Sequence, residues 1–173
     1  MASVKRPAPR RTSSAQVDIG RILHHWRDVV PNDRMAHLVK DAMRAFDRSL
    51  EARLGRHGVS LGHWRFLRIL WESDGLTQRE LSREAGVMEP TTFAALRVMA
   101  TRGYVVRRQL AGNRRKVHVF LTAKGRALKA RLVPLAEEVN RLAIMGVSSA
   151  DVMATRRTLL AVLENLARED VKI

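Results

Sequence analysis

The stretch from Leu76 to Thr122, LTQRELSREAGVMEPTTFAALRVMATRGYVVRRQLAGNRRKVHVFLT, constrains the fold more than any other part of the chain. Thr77 followed three residues later by Glu80 is a capping box. The threonine oxygen accepts from an orphan N–H of the first turn, and the carboxylate reaches back to the cap amide. A helix therefore starts at Thr77, with Leu81 and Ala85 facing inward. Gly86 stops it, because glycine accepts left-handed dihedrals. A second helix begins near Pro90, a residue suited to a first helical position where no N–H donor is needed. Its buried stripe reads Phe93, Leu96, Met99 and Ala100, and Gly103 ends it. Two helices joined by a short turn containing glycine make a helix-turn-helix. Tyr104, Val105 and Val106 favour a strand, as do Val117, Val119 and Leu121 in period-two alternation. After Ala111, the Gly112-Asn113 pair marks the hairpin tip between them. A hairpin directly after a helix-turn-helix is a wing.

The charge pattern agrees with a surface built for a polyanion. Between Pro90 and Ala136 there is no Asp or Glu, while eleven Lys or Arg fall between Arg97 and Arg131. An ordinary solvated face mixes signs. Arg114, Arg115 and Lys116 at the hairpin tip can approach a phosphate backbone or a narrow minor groove. Over the whole chain 32 Lys and Arg against 17 Asp and Glu leave a net charge of +15, which favours nucleic acid, an anionic ligand or an anionic membrane as partner. Membrane is the weakest of the three, since no run approaches about 18 apolar residues. With no signal-peptide core near Met1 either, the chain is expected to be cytoplasmic. The absence of cysteine excludes disulfides, zinc-thiolate sites and thiol redox sensing.

The 173 residues suffice for one domain with a real core, and four regions are expected. Residues 1–14, with Lys5, Arg6, Arg10, Arg11, Pro7 and Pro9, read as a disordered basic arm, either a solubilising tail or an arm that touches DNA. Residues 15–60 hold N-terminal helices on the dimerisation and ligand side. The first, over Ser14 to Val30, has an apolar stripe of Ile19, Ile22, Leu23, Trp26, Val29 and Val30. The second runs from Asp33, its cap, to Arg56, with Met35, Leu38, Val39, Ala42, Met43, Phe46, Leu50 and Leu54 at helical spacing. Residues 61–122 form the winged helix-turn-helix, opened by a helix over Leu61–Ser73. Residues 123–173 hold two C-terminal helices. In Ala123–Met145, Leu128, Leu132, Leu135, Val139 and Leu142 make a coiled-coil-like seam, and Pro134 predicts a kink. Ser148 or Ser149 caps the last helix, with Val152, Leu159, Leu163 and Leu166 on one face. The fold class is mainly α with a small β wing (α+β). The apolar stripes outside the winged core would serve a partner chain, giving a homodimer.

At LTQRELSREAGV, PTTFAALRVMATRGYVVRR and NRRKVHVFLTAKG the sequence resembles the MarR family of transcriptional regulators, over about residues 35 to 170. A wing closing in Leu121, Thr122 and Gly125 makes the match specific. The resemblance implies that the second helix of the pair enters the major groove and the wing the adjacent minor groove of a pseudo-palindromic duplex. Carried over residue by residue, DNA contacts fall on Thr91, Thr92 and Phe93 at the helix front, Arg97 a turn on, and Arg114, Arg115 and Lys116 at the tip. Thr77 and Gln78 at the start of the first helix belong to the same set. The family pattern Asp-x-Arg reads Asn113-Arg114-Arg115 here, which removes one ion pair from the wing. Glu89 is a second departure, an acid beside the expected groove.

The resemblance also implies a small anionic, often aromatic, effector between the dimer helices and the DNA-binding lobe. Its lining candidates are Met43 and Phe46, then His63, Trp64, Arg65, Leu67 and Trp71, in a GHWRFL run similar to members regulating aromatic catabolism. Arg44, Arg48, Arg65 or His37 could pair with a carboxylate or a coenzyme A phosphate, but each reads more readily as a plain surface residue. A Trp/Leu stripe at helical spacing is more often core than pocket. No cofactor, metal or catalytic machinery is expected: six scattered histidines form no HExxH, and there is neither GxSxG nor a glycine-rich phosphate loop. The expectation is a dimeric repressor released by an aromatic acid or aryl-coenzyme A. The alternative is an effector-independent architectural nucleic-acid-binding protein.

Overall fold

The computed structural model describes residues 35–110 and 113–170. The basic arm and the helix expected over Ser14 to Val30 lie outside the described residues, as does the Asp33 cap. Among the described residues six helices and a two-stranded antiparallel sheet follow one another: α1 (Met35–Gly55), α2 (Leu61–Glu72), α3 (Gln78–Ala85), α4 (Glu89–Thr101), β1 (Val105–Leu110), β2 (Asn113–Leu121), α5 (Ala123–Ala143) and α6 (Ser149–Asp170). The mainly helical class with a small β wing is the one expected. The chain divides within α1 into two units, residues 1–45 and Phe46–Ile173. In the first unit the described part of α1 leaves Met35, Leu38, Val39 and Met43 exposed.

In the second unit the core joins Leu54 at the end of α1 to Trp64, Phe66, Leu67 and Leu70 of α2, Leu81 of α3, and Leu96 and Met99 of α4. Tyr104, Val105, Val119 and Leu121 of the wing and Leu128 and Leu132 of α5 complete it. Local chemistry sets the boundaries. Ser60 caps α2 by accepting from the His63 amide, and Ser148 accepts from Asp151 N–H at the start of α6. β1 and β2 pair from Val105↔Leu121 to Gln109↔Val117, after which the register shifts and Leu110 faces Asn113. Asn113 therefore belongs to a strand and not to the tip alone; Ala111 and Gly112 lie outside the described residues.

Three expectations change. Helix α4 starts at Glu89, with Met88 as N-cap, so Pro90 is its second residue. Its buried face is Thr92, Leu96 and Met99, all 0% exposed, whereas Phe93 is 42% exposed. The seam on α5 does not serve a partner along its length: Leu128 and Leu132 pack into the chain's own core, and Val139 is buried. Exposure begins at Leu142 and continues through Ile144, Met145, Val147, Met153, Leu160, Leu163 and Leu166.

Candidate nucleic-acid interface

The capping box forms as expected. Glu80 N–H donates to Thr77 Oγ1 at 3.3 Å, while Glu80 Oε2 accepts from Thr77 N–H and O–H, both at 2.7 Å. Those bonds hold the Glu80 carboxyl below its usual pKa, first through the Thr77 amide and then its hydroxyl. They also commit the Thr77 hydroxyl, expected among the DNA contacts, to the cap. Gly86 closes α3 at φ 63°, the left-handed region that glycine enters without steric cost. Helix α4 is then held on α3 by a buried polar contact: the Ser82 and Thr92 hydroxyls lie 2.8 Å apart. Each has a carbonyl of its own helix in reach, Gln78 at 2.9 Å and Met88 at 3.5 Å. Thr92 thus has no surface to offer a groove, correcting its place among the contact residues. Thr91, Phe93 and Arg97 are exposed and remain in that set.

The wing is fastened to the same body along the free edge of β2. Val119 N–H donates to Leu76 O at 2.8 Å and Gly75 N–H to Val119 O at 3.0 Å. His118 Nδ1 lies 2.7 Å from Gly75 O; the carbonyl only accepts, so Nδ1 carries the proton. Asp74 Oδ1 accepts from Leu121 N–H at 2.8 Å, and its Oδ2 pairs with Arg126 at 3.0 Å. At the hairpin base Thr122 caps α5, accepting from Gly125 N–H and donating to Gly103 O at 2.6 Å.

Between this wing and the N-termini of α3 and α4 opens a cleft of about 640 Å³ lined by Gln78, Arg79, Arg83, Arg107 and Lys116, with Glu80, Glu89, Thr77 and Val117. The Arg107 guanidinium lies 5.2 Å from the Phe93 ring centroid, a cation–π contact between β1 and α4. Arg79 and Arg107 were absent from the expected set. The basic run announced Arg107, but no periodicity says which face of a two-stranded sheet looks at α4. Glu80 is accounted for by its cap, and Glu89 sits at a helix N-terminus, where an acid is favourable. The side chains of Arg114 and Arg115 lie outside the described residues.

The residues expected to line an effector site are placed as follows. His63, Trp64 and Leu67 are buried core. Trp64 and Trp71 meet edge to face at 5.6 Å, and Trp71 Nε1 donates to Gly125 O at 3.0 Å. Arg65 pairs with Asp47 at 3.0 Å. Phe46 is half-buried and Met43 exposed. Among the described residues no three His, Cys, Asp or Glu gather to hold a metal ion, and no helix is long and apolar enough to cross a membrane.

His63 Nδ1 is buried without a hydrogen-bond partner. Burial first, and the Arg102 charge second, push its pKa below the ordinary 6.5. The unfolded chain then binds the proton more readily than the folded one, so stability falls as pH drops below about 6.5. His63→Phe is expected to flatten that part of the stability–pH curve relative to the parent and to be near neutral at pH 7.5, since no hydrogen bond is lost. Denaturation midpoints from pH 7.5 to 5 check this; parallel curves would count against it.

Helix-turn-helix, anchored two-stranded wing and cationic cleft together define a winged helix-turn-helix protein. Residues 59–117 match the model of the MarR family. An HTH-type transcriptional repressor of Mycobacterium bovis is 32% identical over 120 residues, 69% of this chain and 84% of the relative. The homoprotocatechuate degradative operon repressor of Escherichia coli is 33% identical over 86 residues, 50% of this chain. A MarR transcriptional regulator from Methanosarcina mazei superposes with a TM-score of 0.71 at 24% identity, covering 78% of this chain and 96% of that one, which shows the shared fold. The chain belongs to the MarR family of transcriptional regulators. It spans less than two thirds of some curated relatives: 65% of a regulator from Methylorubrum extorquens and 58% of the homoprotocatechuate repressor. These relatives are regulators by name, in line with a chain expected to have no catalytic role.

Proposed function

We propose that the chain is a homodimeric, sequence-specific DNA-binding repressor that lays α4 in the major groove and the wing along the neighbouring minor groove. The observation that carries this reading is the cleft in which Arg79, Arg83, Arg107 and Lys116 converge between α4 and a wing fastened to Gly75 and Leu76 just ahead of α3. A duplex backbone is a polyanion that four converging cations would bind. The exposed apolar run from Leu142 through Leu166 supports dimerisation, because a chain alone in water would leave it unburied. A two-fold dimer presents two α4 helices to a pseudo-palindrome with half-sites about one turn apart.

Release by an aromatic acid or an aryl-coenzyme A thioester is the finer part of the proposal. The name of the Escherichia coli relative, a repressor of an aromatic degradative operon, supports it. The burial of Trp64 and Leu67 favours the rival, an architectural protein without effector, because it removes those side chains from any cavity within one chain. A gel shift on the chain's own upstream region at about physiological salt, with and without these ligands, separates the two. A specific shift released by one ligand class is expected. A salt-sensitive shift with no sequence preference, indifferent to every ligand, would favour the architectural reading.

A further inference from the structure

The outward face of α4 has an unusual chemistry for a helix that reads bases. Burial of Thr92, Leu96 and Met99 fixes which way the helix turns. The residues opposite, all exposed, are Pro90, Thr91, Ala94, Arg97, Val98 and Thr101. Glu89 and Phe93 lie to the wing side, Phe93 beneath Arg107. Adenine is usually read by Asn or Gln, guanine by Arg or Lys and cytosine by Asp or Glu. This face holds no amide and no acid. The Thr101 hydroxyl donates to Arg97 O at 3.1 Å and is spent on its own helix. Only Arg97 has a head that reaches. What remains is small and methylated: Thr91, Ala94 and a Val98 that is 42% exposed to water. Thymine alone among the four bases offers a major-groove edge with a methyl group.

We infer that α4 reads thymine through its C5 methyl, with Thr91, Ala94 and Val98 as the specificity-determining residues and Arg97 as the single polar contact. The inference rests on the DNA-binding reading above and names what that site selects. Short side chains let the helix approach the base edges closely, and the valine exposed in the free protein is covered by the methyl it meets. The methyl is the part of the thymine edge that Thr91, Ala94 and Val98 meet, so the helix reads the methyl more than the base pair as such. 5-Methylcytosine, which carries its methyl at the same place, should then substitute for thymine better than cytosine does.

The test begins with the full chain selecting duplexes from a randomised pool. In a selected site each thymine of the half-sites is replaced singly by deoxyuridine, which removes the methyl alone. Binding is expected to weaken about three- to fivefold at each contacted position, the effect of one buried methyl. At those positions a 5-methylcytosine·guanine pair should bind more tightly than cytosine·guanine. Val98→Ala should bring the thymine-to-uracil ratio toward one at a single step per half-site, with the melting temperature unchanged. A selected site indifferent to every deoxyuridine overturns the methyl reading while leaving sequence-specific binding intact. A ratio unmoved by Val98→Ala counts against it too. A pool that yields no preferred sequence overturns both readings.

Discussion

Gly125→Ala is expected to destabilise the protein by about 3 kcal/mol, the upper end of the cost of overfilling a packed site. Helix propensity alone points the other way, since alanine inside a helix is favoured over glycine by about 1 kcal/mol. Geometry decides between them. A Cβ on Gly125 would stand 2.1 Å from the Tyr104 carbonyl oxygen and 3.1 Å from Leu121 Cδ2. Neither side can yield cheaply. The Tyr104 carbonyl accepts from Thr122 N–H at 3.0 Å and is 3.2 Å from the Thr122 hydroxyl. The Gly125 carbonyl receives the Trp71 indole N–H. Relieving the clash means lifting α5 from the base of the wing and breaking several of these bonds together. For a domain of this size the melting temperature should drop by about 6–12 °C, read at fixed protein concentration because the proposed dimer's stability depends on it. An unchanged or higher midpoint would show that propensity wins and that the wing base has slack.

The same contact explains why part of this fold is legible in the sequence. Leu121, Thr122 and Gly125 each do one local job: a buried anchor at the end of β2, a cap that also ties back to Gly103, and the only residue type that fits against Tyr104. Thr77 with Glu80, and Gly86 in the left-handed region, are read from spacing for the same reason. Their physics lies within one turn of chain. The misses lie where two elements meet. Phe93 is more apolar than Thr92, so residue type puts Phe93 inside; the helix instead turns Thr92 inward, and a hydroxyl supplied by Ser82 of another helix makes that burial tolerable. The α5 stripe is apolar whichever surface it meets, and only the fold shows that Leu128 and Leu132 meet α2 and the wing in their own chain. Trp64 and Trp71 share a face as their spacing says. Spacing favours core over pocket for such a face, and Trp64 is core. In the candidate interface the sign of the charge was legible, but not the convergence of Arg79 with Arg107.

Raising salt from about 50 to 200 mM should weaken operator binding by the dimer about a thousandfold or more, the largest effect expected of any single change. Each neutralised phosphate releases condensed counterions, so affinity falls as a power of salt concentration set by the number of contacts. The net charge of +15 overstates that number. Arg126 is held by Asp74, Arg53 by Glu138 and Arg65 by Asp47. Near α4 and the wing, Arg79, Arg97, Arg107 and Lys116 are exposed, and Arg114 and Arg115 precede Lys116 on the same strand. Three to five contacts per half-site, roughly six to ten per dimer, put the loss at about 10³–10⁵ over this range. Substitutions then sort by mechanism. Arg115→Ala or Arg107→Ala should weaken binding to all sequences and lower the salt slope by about one per half-site. Val98→Ala should leave the slope alone and change only which sequence is preferred. Fluorescence anisotropy with a labelled operator at five salt concentrations measures both quantities. A loss below tenfold would mean that this face does not carry the phosphate backbone. A slope lowered equally by Val98→Ala would mean that substitutions on α4 act by disturbing the docking of the whole domain rather than contact by contact.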